Sequence, residues 1–155
     1  MPPEFSLQPV LDYRHNLAQA MEIELGRRLA TQQAHQARLA HLNDNRMALF
    51  AELRRRQSGE LVMSVVNQLR QNLRGLEREI ENEQAALTQA SLAVLEQQQK
   101  VVAARQDEEA LEKLKANGQE RFRQGQARHE EHQRDDIYIA QAHRRAAEAA
   151  AGGLL

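Results

Sequence analysis

No cysteine occurs in the 155 residues, so disulfides, thiol nucleophiles and cysteine-ligated metals are excluded. Tryptophan is absent too, and two tyrosines and three phenylalanines are the only aromatics. A compact core draws much of its buried area from aromatic rings, and this chain has few to give. There are three prolines, two of them Pro2 and Pro3. Proline breaks a helix interior, and after Pro9 none interrupts the chain. The longest apolar run, around Leu61 to Val66, falls far short of the ~20 residues that span a bilayer. Met1 to Phe5 lacks the charged and apolar regions of a signal peptide. The net charge is −1, so no overall field draws the chain to a polyanion. These absences point to a cytoplasmic protein with no direct membrane insertion and no nucleic-acid partner.

What the chain does have is Ala, Leu, Gln, Glu and Arg, the residues of long helices, whose straight side chains lose little rotamer freedom there. Pro9 suits a first helical turn, with Ser6 placed ahead of it as a cap. From there a 3-4 spacing runs Leu7, Leu11, Arg14, Ala18, Met21, Leu25, Arg28, Gln32, His35, Leu39, Leu42, Arg46, Leu49, Leu53. Nine of these fourteen are apolar, and the polar ones fall mostly in the middle, so the stripe is a coiled-coil seam with a weak centre. The break comes at Gln57 to Glu60, where Gly59 permits left-handed backbone angles and Arg54, Arg55 and Arg56 favourably load a helix end. A second stripe follows: Val62, Val66, Leu69, Leu73, Leu76, Ile80, Glu83, Leu87, Ala90, Val94, Gln97, Val101, Ala104, Glu108, Leu111.

A short connection makes long helices antiparallel neighbours. The expected fold is therefore all-α: two long helices in an antiparallel coiled-coil hairpin, the second longer with a C-terminal overhang. The expected bounds are helix 1 over about 6–57, a tip at 57–60, helix 2 over about 60–150 and a frayed tail at 151–155, in one elongated domain. Folding at Ser58 and Gly59 pairs residues whose numbers sum to about 118. Leu49 then meets Leu69, Leu42 meets Leu76, Leu25 meets Val94 and Leu7 meets Leu111. A paired region of ~50 residues per helix is ~75 Å long. From about Lys115 onward the second helix has no partner in the hairpin, and its few apolar residues are Phe122, Ile137, Tyr138 and Ile139.

No catalytic or cofactor site emerges. His129 and His132 flank two glutamates, but their i,i+3 spacing is not that of the zinc-protease helix motif. No Ser/His/Asp arrangement or phosphate-binding loop stands out, and the arginines are balanced by glutamates as on a solvated, ion-paired face. The expectation is a non-enzymatic protein with no cofactor and no metal, acting by contact with other proteins. Gly118 and Gly125, seven apart, are places for close backbone approach, a hinge or simply a weak stretch of helix.

The start of the chain, with Phe5, Leu7, Gln8, Val10, Leu11 and Arg14, resembles the N-terminal signature of FliJ-type flagellar export proteins, which open Phe-x-Leu-Gln-x-Val-Leu with an arginine nearby. Glu130 to Asp136 looks like that family's Glu-Gln-Lys-x-Leu-Asp-Glu stretch, with His132 and Arg134 at the Lys and Leu positions and Asp136 in place of Glu. The resemblance implies a cytoplasmic component of the flagellar type III export apparatus, peripherally associated with it at the inner membrane. It implies a central stalk that activates the hexameric export ATPase and contacts the cytoplasmic linker of the export-gate membrane protein and the export chaperones. It implies an ATPase-ring end at Phe5, Leu7, Leu11, Arg14, Leu111, Leu114 and Phe122, and a gate-contacting patch at Arg38, Leu42, Asn45, Leu49, Asn72, Leu76, Glu79 and Glu83. Asn45 and Asn72 stand where the family often has aromatics. Such a stalk is monomeric when free. The competing readings are the equivalent stalk of a virulence-type secretion system, a self-associating coiled-coil scaffold and, more distantly, a prefoldin-like holdase.

Overall fold

The computed structural model describes residues 3–60 and 62–153. It consists of two helices, α1 (Gln8–Gln57) and α2 (Met63–Gly152). They pack against each other as an antiparallel hairpin, and α2 is the longer. Among the described residues there is no strand.

Backbone bonds set the helix ends. The Phe5 carbonyl accepts from the Gln8 amide, and the Leu7 carbonyl accepts from Leu11 at 2.9 Å. Pro9, which has no N–H, therefore sits in the first turn, where that donor would have no intrahelical acceptor. At the other end of α1 the Ser58 amide bonds to the Arg54 carbonyl, and the Ser58 hydroxyl donates to the Arg55 carbonyl at 3.0 Å. The turn does not use the freedom expected of Gly59, because no described glycine has positive φ. Arg55 and Arg56 do not act on the helix end alone. They reach back one turn to Glu52 at 2.9 and 3.0 Å. These two guanidinium hydrogen bonds hold the Glu52 carboxyl below its ordinary range.

Along both helices the surface is laced at four-residue spacing: Glu24 with Arg28, Glu96 with Lys100, Glu109 with Lys113 and Gln68 with Asn72. Each such pair contributes only ~0.2–0.5 kcal/mol, so the helices rest on packing.

The packing is that of the two stripes. The buried apolar side chains are Leu11, Ala18, Leu42, Leu53, Val66, Ile80, Val94 and Ala104, and the buried polar ones are Glu83, Gln97 and Glu108. Every one is a stripe position. The stripe ends are the exceptions: Leu7 and Val62 are 37% and 49% exposed, because each lies outside the helix it was assigned to.

Contacts divide the chain into two compact units, one of residues 14–106 and one of residues up to Tyr13 together with those from Asp107 on. In the first unit, the centre of the seam is joined by hydrogen bonds. Arg28 donates to the Ala93 carbonyl at 3.0 Å and Gln32 to the Ser91 hydroxyl at 3.0 Å. His35 Nδ1 meets Glu83 Oε1 at 2.5 Å, and Arg38 Nε approaches the other oxygen at 3.4 Å. A carboxylate only accepts, so Nδ1 carries the proton of that bond. Gln97, 1% exposed, donates to the Met21 carbonyl at 3.0 Å and touches its sulfur at 3.4 Å. His35 with Glu83 and Met21 with Gln97 fall on the register expected from folding at Ser58 and Gly59. Arg28 and Gln32 bond residues slightly further along α2. The polar centre is thus satisfied within the chain, and among the described residues no buried side-chain polar atom lacks a partner. Such groups add little net stability but strongly penalise other registers.

Candidate functional site

Three surfaces are candidates for binding. The first is a groove of ≈660 Å³ in the 14–106 unit, formed where α1 contributes Asn45, Ala48, Leu49 and Glu52 and α2 contributes Gln71, Asn72, Gly75, Leu76 and Glu79. Leu49 and Leu76 are half-buried, while Asn45, Asn72 and Glu79 are exposed. Gly75 adds no side chain to the groove, and a Cβ there would meet nothing within 4 Å. Two leucines bordered by three carboxamides suit an apolar side chain flanked by peptide groups.

Five residues of the expected gate-contacting patch line this groove: Asn45, Leu49, Asn72, Leu76 and Glu79. The other three do not. Leu42 is buried in the seam, and Glu83 is buried and held by His35 and Arg38. Glu52, Gln71 and Gly75 also line the groove. They lie beside the stripes, so the 3-4 spacing alone does not single them out.

The second surface is a cleft of ≈840 Å³ in the other unit. Pro3, Glu4, Phe5, Ser6, Gln8, Pro9 and Asp12 form one side, and Lys115, Gly118 and Gln119 of α2 form the other. Gln8 Nε2 donates to Asp12 Oδ1 at 2.9 Å and fixes that carboxylate in place. A Cβ on Gly118 or Gly125 would meet nothing within 4 Å, so neither glycine serves close backbone approach, and α2 runs unbroken through both. Of the expected ATPase-ring residues, Phe5 lines the cleft and Leu11 is buried. Leu111 and Phe122 are half-buried, and Leu7 and Leu114 are 37% and 50% exposed. Arg14 belongs to the 14–106 unit.

The third surface is α2 beyond Phe122. Every described residue from Arg123 to Gly153 is exposed. Ile137, Tyr138 and Ile139 stand in succession with exposures of 58%, 75% and 57%. No described helix is long and apolar enough to cross a membrane.

The family model of the Flagellar FliJ protein matches residues 3–147, nearly the whole chain. No curated protein and no solved structure matches it.

Proposed function

Because the chain belongs to the FliJ family of flagellar proteins, and is thus a flagellar export-related component, we propose that it is the central stalk and activator of the hexameric export ATPase. The exposed end of α2 is its working part. The observation that carries this reading is the run Ile137, Tyr138, Ile139. Consecutive residues on a helix point about 100° apart, so three apolar ones in a row face several directions at once. A helix that docks one-sidedly carries apolar residues three and four apart instead. Contact on several sides is what a helix inside a ring receives. The N-terminal cleft at Phe5 extends the contacting surface in the same unit.

The stalk has no chemistry of its own. It acts by binding one assembly state of the ATPase better than another, since a partner shifts an equilibrium only through differential affinity. The groove at Leu49 and Leu76 is the proposed contact for the export-gate linker, and the export chaperones are further partners of the same surface set. Titrating the full chain into the cognate ATPase tests the reading. Turnover and the hexameric fraction rise together if it is right. Unchanged turnover and unchanged oligomer size across the titration contradict it.

A second reading is favoured by Leu92, Leu95 and Val102, which are 54–56% exposed at seam-like spacing on the outer side of α2. They suit association of two copies into a scaffold without an ATPase partner. Sedimentation velocity separates the two: a monomer supports the stalk, and a dimer at micromolar concentration supports the scaffold.

A further inference from the structure

Charge is unevenly placed along a chain that is nearly neutral overall. Between Asn45 and Leu76, six arginines stand against two glutamates, although the whole chain carries −1. Glu52 is already engaged by Arg55 and Arg56. Arg54, Arg70 and Arg74 form no ion pair among the described residues. Arg70 and Arg74 lie one turn apart on α2, and Arg54 stands in the last turn of α1. The helical repeat sets all three on the side of the seam opposite the Leu49–Leu76 groove. The same side of α1 carries Met47 and Phe50, which are 69% and 40% exposed. Val62, just ahead of α2, and Met63, its first residue, are 49% and 57% exposed.

Unpaired arginines around exposed Met, Phe and Val side chains make an amphipathic surface. We propose that this end of the hairpin adsorbs to an anionic phospholipid surface. Arg54, Arg70 and Arg74 meet the headgroup phosphates, and Val62 and Met63 enter the headgroup boundary. Guanidinium groups bind phosphate in a planar, two-bond geometry, and a basic apolar surface is held by both charge attraction and apolar burial. Val62 and Met63 suit insertion because they are exposed apolar side chains at the start of a helix whose seam is buried against α1. No spanning segment is involved. An acidic protein segment would use the same arginines but would not need these apolar side chains, which is why the lipid surface is the occupant assigned. The inference does not depend on the ATPase stalk reading.

The test is co-sedimentation of the full chain with phosphatidylcholine vesicles, with and without half phosphatidylglycerol, and separately its binding to soluble polyglutamate. Binding to the anionic vesicles alone, falling as salt rises, is the expected result. Each arginine replaced in R54A, R70A and R74A lowers partitioning about fivefold, and V62S/M63S lowers it several-fold. All these side chains are exposed, and retained helical circular dichroism shows that a variant is folded. No binding, equal binding to neutral vesicles, or binding indifferent to either set of substitutions overturns the proposal. So does tight binding to polyglutamate with vesicle binding absent, which assigns the arginines to an acidic protein.

Discussion

The hairpin seam of residues 14–106 and the end of α2 beyond Phe122 are both continuous helix, yet they behave oppositely. In the seam, side chains such as Leu42, Val66, Ile80 and Val94 are 2–6% exposed, and the polar members bond across it. Beyond Phe122 every described residue is exposed, including three adjacent large apolar ones. Helix propensity is common to both regions and so does not distinguish them. A facing helix does. Where the chain supplies its own partner, the stripe is covered and the register fixed. Where it supplies none, apolar residues stay in water, and that is costly unless something else covers them.

The comparison breaks most visibly under truncation of apolar side chains. Ile80→Ala and Leu42→Ala each lower unfolding stability by about 2–4 kcal/mol, from lost transfer energy and the cavity left behind. Ile137→Ala and Ile139→Ala change it by less than about 0.5 kcal/mol, as exposed positions do. Urea titrations followed by circular dichroism check both. Equal losses in the two regions would mean that the end of α2 is covered within the chain.

Much of this contrast was legible beforehand. The 3-4 spacing contains every buried side chain of the described residues, Glu83, Gln97 and Glu108 included. That happens because a two-helix seam buries only one narrow stripe, which the helical period locates. The polar centre looked like a weakness for a different reason. Residue type shows polarity but not partners, and Arg28 bonds a backbone carbonyl that any residue at position 93 would offer. His35 and Glu83 were the readable pair, since the expected register set them opposite each other. The cleft at Phe5 escaped the spacing altogether. It depends on how residues ahead of α1 lie against Lys115, Gly118 and Gln119, and no periodicity governs that segment. The role given to Gly59 failed because its backbone does not adopt positive φ.

A double-mutant cycle sharpens the polar centre. His35→Ala with Glu83→Gln gives a coupling of about 0.5–3 kcal/mol, as for directly bonded side chains. His35→Ala alone costs more than the pair's net contribution, because the buried Glu83 carboxylate loses its closer partner and keeps only Arg38. Additive costs would show that the seam is indifferent to this contact.

Gln97→Ala loosens the seam by about 1–2 kcal/mol through the lost bond to Met21 and the small cavity. Gln133→Ala, at an exposed position near His129, leaves the midpoint unchanged within error. Thermal denaturation of the two variants side by side reads this.

The smallest effect concerns pH. Glu52 is held below its ordinary range by Arg55 and Arg56. A carboxyl whose folded pKa is depressed contributes stability that is present above its unfolded pKa and is lost as pH falls through the folded value. Acidification below the ordinary carboxylate range therefore removes a slight stabilisation that Glu52→Gln lacks from the outset. Melting curves of the two proteins converge as pH falls. Parallel curves would show that the arginines do not favour the charged form.

Residue-resolved hydrogen exchange, free and with the export ATPase, tests the central claim most directly. Seam amides around Leu42, Ile80 and Val94 exchange slowly in both states, while those from Arg123 onward exchange fast in the free chain and slow markedly once the ATPase is bound. Slow exchange of that segment in the free chain, or protection gained in the seam alone, would contradict it.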